Sequence, residues 1–230
     1  MIVAYIFLAL FFLALFVVAS AVHLYHSWKD EAKKRAITKP MLLIFLLLFY
    51  IFAAREPGYQ LSWVLIAAIA TSWLGDVLLI PKGNVWFTCG GISFLISHIT
   101  FIAVYLPRID FAAVKWYIVI PVAIVYLGIA LKIILSVKKN TPKIMVVPMY
   151  LYLIANSTMN VFALMQLMSN MNAASLIAYI GAVLFFTSDC TLFLVRYHDN
   201  KNIIFKRHFT VMLTYLLGEA FITIGILLLK

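Results

Sequence analysis

The chain has 230 residues, of which 66% are hydrophobic and 11% charged, and its mean hydropathy is +1.07. A soluble domain carries about 45–50% apolar and about 25% charged residues, so this chain lacks the polar residues to cover a soluble surface. Its 18 Lys and Arg against 8 Asp and Glu give a net charge of +10. The basic residues lie in short segments between long apolar runs, which reads as a membrane-topology signal and not as a nucleic-acid surface.

A spanning helix needs about 20 mainly apolar residues. Eight segments qualify, at about 2–24, 40–54, 61–80, 86–106, 112–135, 144–168, 173–195 and 208–229. The second is the shortest. Barrel strands alternate over about 10 residues, whereas these runs are continuously apolar. The expected fold is therefore an all-α membrane protein, a polytopic bundle of eight transmembrane helices forming a single domain over residues 1–230. Ala19-Ser20-Ala21 resembles a leader-peptide cleavage site. No Lys or Arg precedes the apolar run, however, so the segment is read as a retained first helix. Breaks are expected at Lys39-Pro40, Pro57-Gly58, Pro81-Lys82-Gly83, Pro107 and Thr141-Pro142, with Pro121 and Pro148 inside helices five and six. Cys89 and Cys190 lie in apolar segments and form no disulfide framework or metal-ligand spacing.

The connections after helices one, three, five and seven carry 14 of the 18 basic residues. The positive-inside rule puts those connections in the cytoplasm, with both termini outside the cell membrane.

An ionisable group at mid-bilayer costs about 2.5–3.5 kcal/mol on insertion scales and usually faces a cavity. Asp76, His98, Asp189 and Glu219 are such groups. Counting the helical rise from the basic ends puts Asp76 roughly 7 Å and Asp189 roughly 10 Å deep, in one layer. Tyr152 and Tyr215 follow at roughly 12–14 Å, with Asn156, His98 and Glu219 at roughly 17–20 Å. Spacing gathers further polar side chains onto shared faces. Ser72 and Asp76 are one turn apart, as are Tyr215 and Glu219, and Tyr152, Asn156 and Asn160 form a row. On helix four, Phe87, Gly91, Phe94, His98 and Tyr105 make one stripe. Together these faces predict an intramembrane polar pocket towards the cytoplasmic side. Asn156 and Asn160 serve equally well as interhelical glue. His23, His26, His198 and His208 read as interfacial. No zinc-hydrolase histidine pattern, serine-hydrolase elbow or phosphate-binding loop occurs, so any chemistry belongs among the helices, on a substrate at home in a bilayer.

Several of these residues fall in motifs. Ser72-Trp73-Leu74-Gly75-Asp76-Val77-Leu78-Leu79 resembles the Ser-x-x-Gly-Asp-x-x-Leu motif of the YhhN-like lysoplasmalogenases. Gly181-Ala182-Val183-Leu184-Phe185-Phe186-Thr187-Ser188-Asp189 is similar to that family's Gly-Ala-x-x-Phe-x-x-Ser-Asp motif. Phe87, Gly91, Phe94 and His98 look like its intervening helix, and Thr38-Lys39-Pro40 like its Lys-Pro start of helix two. Glu219 stands where the pattern leads one to expect glutamine. The resemblance implies a membrane hydrolase that splits the vinyl ether of a lysophospholipid without metal or cofactor. Asp76 and Asp189 would be catalytic, with Asp189 favoured as the acid. Ser72, His98, Tyr152, Asn156, Asn160, Ser188, Tyr215 and Glu219 would line the site, and Lys39 would meet the lipid phosphate. The rival expectation is a proton-coupled transporter, which eight helices with buried carboxylates would also suit. A non-enzymatic membrane adaptor leaves the acidic layer unexplained.

Overall fold

Residues 32–39, Ala-Lys-Lys-Arg-Ala-Ile-Thr-Lys, contain no helix breaker. Pro40 removes only one intrahelical donor, that of its own missing N–H. In the computed structural model, which describes residues 2–229, the helix accordingly starts at Ala32 and runs through Pro40 to Ala53. This corrects the expected start of helix two at Pro40 and places Lys33, Lys34, Arg35 and Lys39 on a helix instead of in a loop.

The eight helices are α1 (Ile2–Trp28), α2 (Ala32–Ala53), α3 (Trp63–Leu78), α4 (Asn84–Tyr105), α5 (Trp116–Val137), α6 (Lys143–Ser169), α7 (Ala173–Tyr197) and α8 (Arg207–Leu228). Short 3₁₀ turns at Leu106–Arg108 and Lys138–Asn140 follow α4 and α5. Pro121 and Pro148 lie inside α5 and α6. Seven of these helices are long and apolar enough to cross a membrane, which makes this a multi-pass membrane protein. The exception is α3, with 16 residues. At 1.5 Å per residue it measures about 24 Å against a hydrocarbon core of about 30 Å. The shortest apolar helix is thus the third and not the second.

Side-chain contacts sort the connections into two ends. At one end, Arg35 of α2 meets Asp30 of the α1–α2 turn at 2.6 Å, and His208 of α8 approaches the same carboxylate at 4.0 Å. The guanidinium of Arg35 holds the Asp30 carboxyl below the usual carboxylate range. Asn140, after α5, donates to the carbonyl of Tyr197 at 2.8 Å, and Arg196 donates to Asn84 at the start of α4 at 3.4 Å. At the other end, the backbone N–H of Ser62 donates to Tyr50, and Ser169 donates to the carbonyl of Asp110. The four basic connections therefore share one end, and α3 joins the two ends despite its length.

The centre of the bundle is α8, which packs most closely on α7. That contact needs glycine. A Cβ on Gly181 would stand 2.5 Å from the backbone N of Ile222 and 2.8 Å from the carbonyl O of Gly218. Small residues at such spots let backbones touch where lipid gives no hydrophobic drive between helices.

Overpacking of a filled interior costs about 1–3 kcal/mol. Gly181→Val should therefore lower the unfolding free energy in detergent by an amount in that range. Gly128→Ala, inside α5 where a Cβ meets open space, should not lower it.

Candidate active site

Each motif places a carboxylate and anchors it. Gly75 makes room for the ring of Phe94, which a Cβ would meet at 2.6 Å. The next residue, Asp76, is 2% exposed. Lys39 Nζ lies 3.1 Å from Asp76 Oδ1, and the Tyr215 hydroxyl donates to Asp76 Oδ2 at 2.8 Å. The Trp73 indole N–H donates to the carbonyl of Pro40 at 2.8 Å. Consecutive residues of α2, Lys39 and Pro40, are thus gripped by two residues of one α3 motif. The Asp76 carboxylate is turned into the bundle, where both of its partners lie.

Asp189 has different company. Its Oδ2 accepts from Asn156 Nδ2 at 2.6 Å, and His98 Nε2 stands 3.1 Å from the same oxygen, outside hydrogen-bonding geometry. The Tyr152 hydroxyl is within hydrogen-bonding reach of the same carboxylate. Asn160 donates to the carbonyl and to the side-chain oxygen of Asn156, so the asparagine row orients the amide that holds Asp189. Ser188, beside it, donates to the carbonyl of Val211 at 2.9 Å and ties α7 to α8.

Phe185 is completely buried between the two acidic centres. Its ring lies 5.0 Å from that of His98 and 5.4 Å from that of Tyr215, edge-on to both. Edge-to-face pairs of this kind are worth about 0.5–1.5 kcal/mol beyond their burial. One aromatic ring therefore braces a neighbour of Asp189 and a partner of Asp76.

Asp76 and Asp189 line a single cavity of about 190 Å³, with Lys39, Ser188 and Tyr215. Arg196 and His208 line it too, at the basic end. A second cavity of about 160 Å³ lies between α4, α6 and α7, walled by Gly91, Leu95, Met149, Tyr152 and Phe193. Phe87 belongs to both walls.

The remaining expected site residues sit elsewhere. Ser72 does not line the polar cavity; its hydroxyl pairs with that of Ser97 at 2.7 Å and joins α3 to α4. Tyr152 lines the apolar cavity and stacks edge-on with His98 at 5.1 Å, while its hydroxyl turns to the Asp189 carboxylate. Glu219 is fully buried behind the site, and neither of its carboxyl oxygens has a hydrogen-bond partner among the described residues. Lys39 is held by Asp76 and is not free at the mouth. His23, expected at the interface, is 1% exposed and bonded to Thr38 at 2.7 Å. Two lining residues went unrecognised in the sequence. Arg196 resembles any topology charge, and His208 any helix-end histidine.

A model described as the YhhN family matches residues 34–226 of the chain. No curated protein and no solved structure matches it.

Removing one partner of a buried ion pair typically costs about 3–5 kcal/mol, whereas removing both is far milder. Lys39→Met should therefore lower unfolding stability in detergent by about 3 kcal/mol, and Asp76→Asn in the same chain should restore part of it. A double variant no more stable than Lys39→Met would show that the two side chains do not depend on each other.

Proposed function

Because the chain belongs to the YhhN family, we propose that it is a lysoplasmalogenase, hydrolysing the vinyl ether of a lysoplasmalogen to a fatty aldehyde and a glycerophospho-ethanolamine or glycerophospho-choline. The observation that carries this is the pair of unlike carboxylates on one cavity. Asp76 has a cation and a hydroxyl on its two oxygens. Asp189 has neutral company instead: an amide on one oxygen, with an imidazole and the Tyr152 phenol close by.

Enol ether hydrolysis needs this inequality. The slow step moves a proton to the β-carbon of the C=C–O unit and leaves an oxocarbenium ion. Asp189, with His98 beside it, supplies that proton as general acid. Asp76, paired with Lys39, stabilises the cation and takes a proton from the water that attacks the carbon bearing the ether oxygen. The hemiacetal then collapses: its O–H proton leaves, the C–O bond to glycerol breaks, and the glycerol oxygen is protonated. The sum is one vinyl ether and one water giving one aldehyde and one alcohol. Two carboxyl groups divide the work of glycosidases in a similar way.

The surroundings support a single-chain lipid as substrate. The apolar cavity lies next to the polar one across Phe87, which suits a hydrocarbon chain beside its ether linkage. In this reading the basic end faces the cytoplasm, by the positive-inside rule, and the lipid arrives from the inner leaflet. All eight helices then cross the cell membrane, and both termini lie outside.

General acid–base groups contribute typically 10²–10⁴-fold to a rate. Purified protein in detergent should release aldehyde from lysoplasmalogen, and Asp189→Asn and Asp76→Asn should each lose at least about 100-fold. Full activity in both variants would overturn the assignment. A wild-type protein inert on every vinyl ether lipid, yet driving uptake in liposomes, would establish the transporter instead.

A further inference from the structure

Two cations, Lys39 and Arg196, line the polar cavity at its basic end, beside the imidazole of His208. Lys39 is committed to Asp76 at 3.1 Å. A third cation nearby, Arg35, is committed to Asp30 at 2.6 Å. Arg196 has no carboxylate within ion-pair distance among the described residues, although it is half-buried in the wall. Its guanidinium rests on the Phe87 ring, 3.8 Å from the centroid. Nε donates to the Tyr197 hydroxyl at 3.1 Å, and Nη2 reaches Asn84 Oδ1 at 3.4 Å. A half-buried guanidinium held in place by neutral partners, with donors to spare, can receive an anion. Its planar fork suits the oxygens of a phosphate.

Position narrows the ligand. Arg196 follows Asp189 by seven residues, two turns along the same face of α7, or about 10 Å. That is the span of a glycerol backbone with an ether at the carboxylate end and a phosphoester at the guanidinium end. The ring beneath Arg196, Phe87, also walls the apolar cavity. Phosphate, glycerol and hydrocarbon chain thus each meet a surface of matching chemistry.

We propose that Arg196, flanked by His208, binds the phosphate of a single-chain glycerophospholipid and makes the site selective for phosphorylated lipids. This rests on the lysolipid reading of the cavity. It assigns to Arg196 the role that the sequence suggested for Lys39.

The test is a binding measurement independent of turnover. A 1-alkyl lysophospholipid, whose saturated ether is not cleaved by this chemistry, is titrated into the purified full-length protein in detergent. The unfolding midpoint is followed for the wild type, Arg196→Gln and Arg196→Lys. The matching 1-alkylglycerol, which has no phosphate, and inorganic phosphate are titrated in parallel. Hydrogen bonds to a charged group contribute about 1.5–3 kcal/mol, so Arg196→Gln should weaken the lysophospholipid about 10- to 100-fold. Arg196→Lys should fall between it and the wild type, and alkylglycerol binding should stay the same in all three. Equal lysophospholipid affinity in the wild type and Arg196→Gln would overturn the proposal. So would a matching loss for alkylglycerol, which would mark a structural role. An Arg196-dependent shift from inorganic phosphate alone would show a free-anion site and overturn the lipid assignment. Because no bond is cleaved in the assay, a failure of the hydrolase reading appears separately, as absent aldehyde release from lysoplasmalogen by a wild type that still binds the alkyl analogue.

Discussion

A carboxylate inside a helical bundle must be matched, because water is not there to solvate it. The pairing of Lys39 with Asp76 meets that constraint, and much of the structure follows from it. A lysine on the third turn of α2 reaches the carboxylate because the helix begins at Ala32 and continues past Pro40. The indole of Trp73 on the Pro40 carbonyl fixes α3 against the same stretch of α2. Tyr215 closes the second oxygen from α8. Three helices are registered by one ionised group. A buried pair of this kind contributes little net stability, since desolvation offsets most of the attraction. What it supplies is a charged centre at a defined place.

The second carboxylate is placed by packing more than by charge. The close approach of α7 and α8 at Gly181 and Gly218 brings Phe185 against Tyr215 and His98. Asn156, itself oriented by Asn160, then holds Asp189. The two acidic centres differ in partners although they share a cavity. That difference is what a reaction needing one acid and one anion requires. It comes from distant parts of the chain, with the cation on α2 and the amide and imidazole on α6 and α4.

Composition and periodicity made the helices legible, together with the shared layer of Asp76 and Asp189. Apolar runs of spanning length have few alternatives, and depth follows from counting residues. The start of α2 was not legible, because a proline after helix-compatible residues permits either a start or an interior position. Ser72 was misplaced for a different reason. A buried hydroxyl one turn from a carboxylate can face a pocket or a neighbouring helix, and only the position of Ser97 decides. The Lys39–Asp76 pair and the place of Arg196 in the cavity wall were not legible, because a topology charge, an ion-pair partner and a cavity-lining cation all look like one basic residue at a helix end. The buried environment of Glu219, with no partner on either oxygen, was likewise invisible in its spacing from Tyr215.

The proposed hydrolysis turns on delivery of a proton to carbon from a positioned acid. Turnover of lysoplasmalogen in D₂O, with mass spectrometry of the aldehyde and comparison of rates in H₂O and D₂O, tests it most directly. The proposed mechanism gives one deuterium on the carbon next to the aldehyde group and a rate slowed by the heavier solvent, as expected when transfer from a general acid limits turnover. An aldehyde without that deuterium, or a rate raised in D₂O, would contradict it.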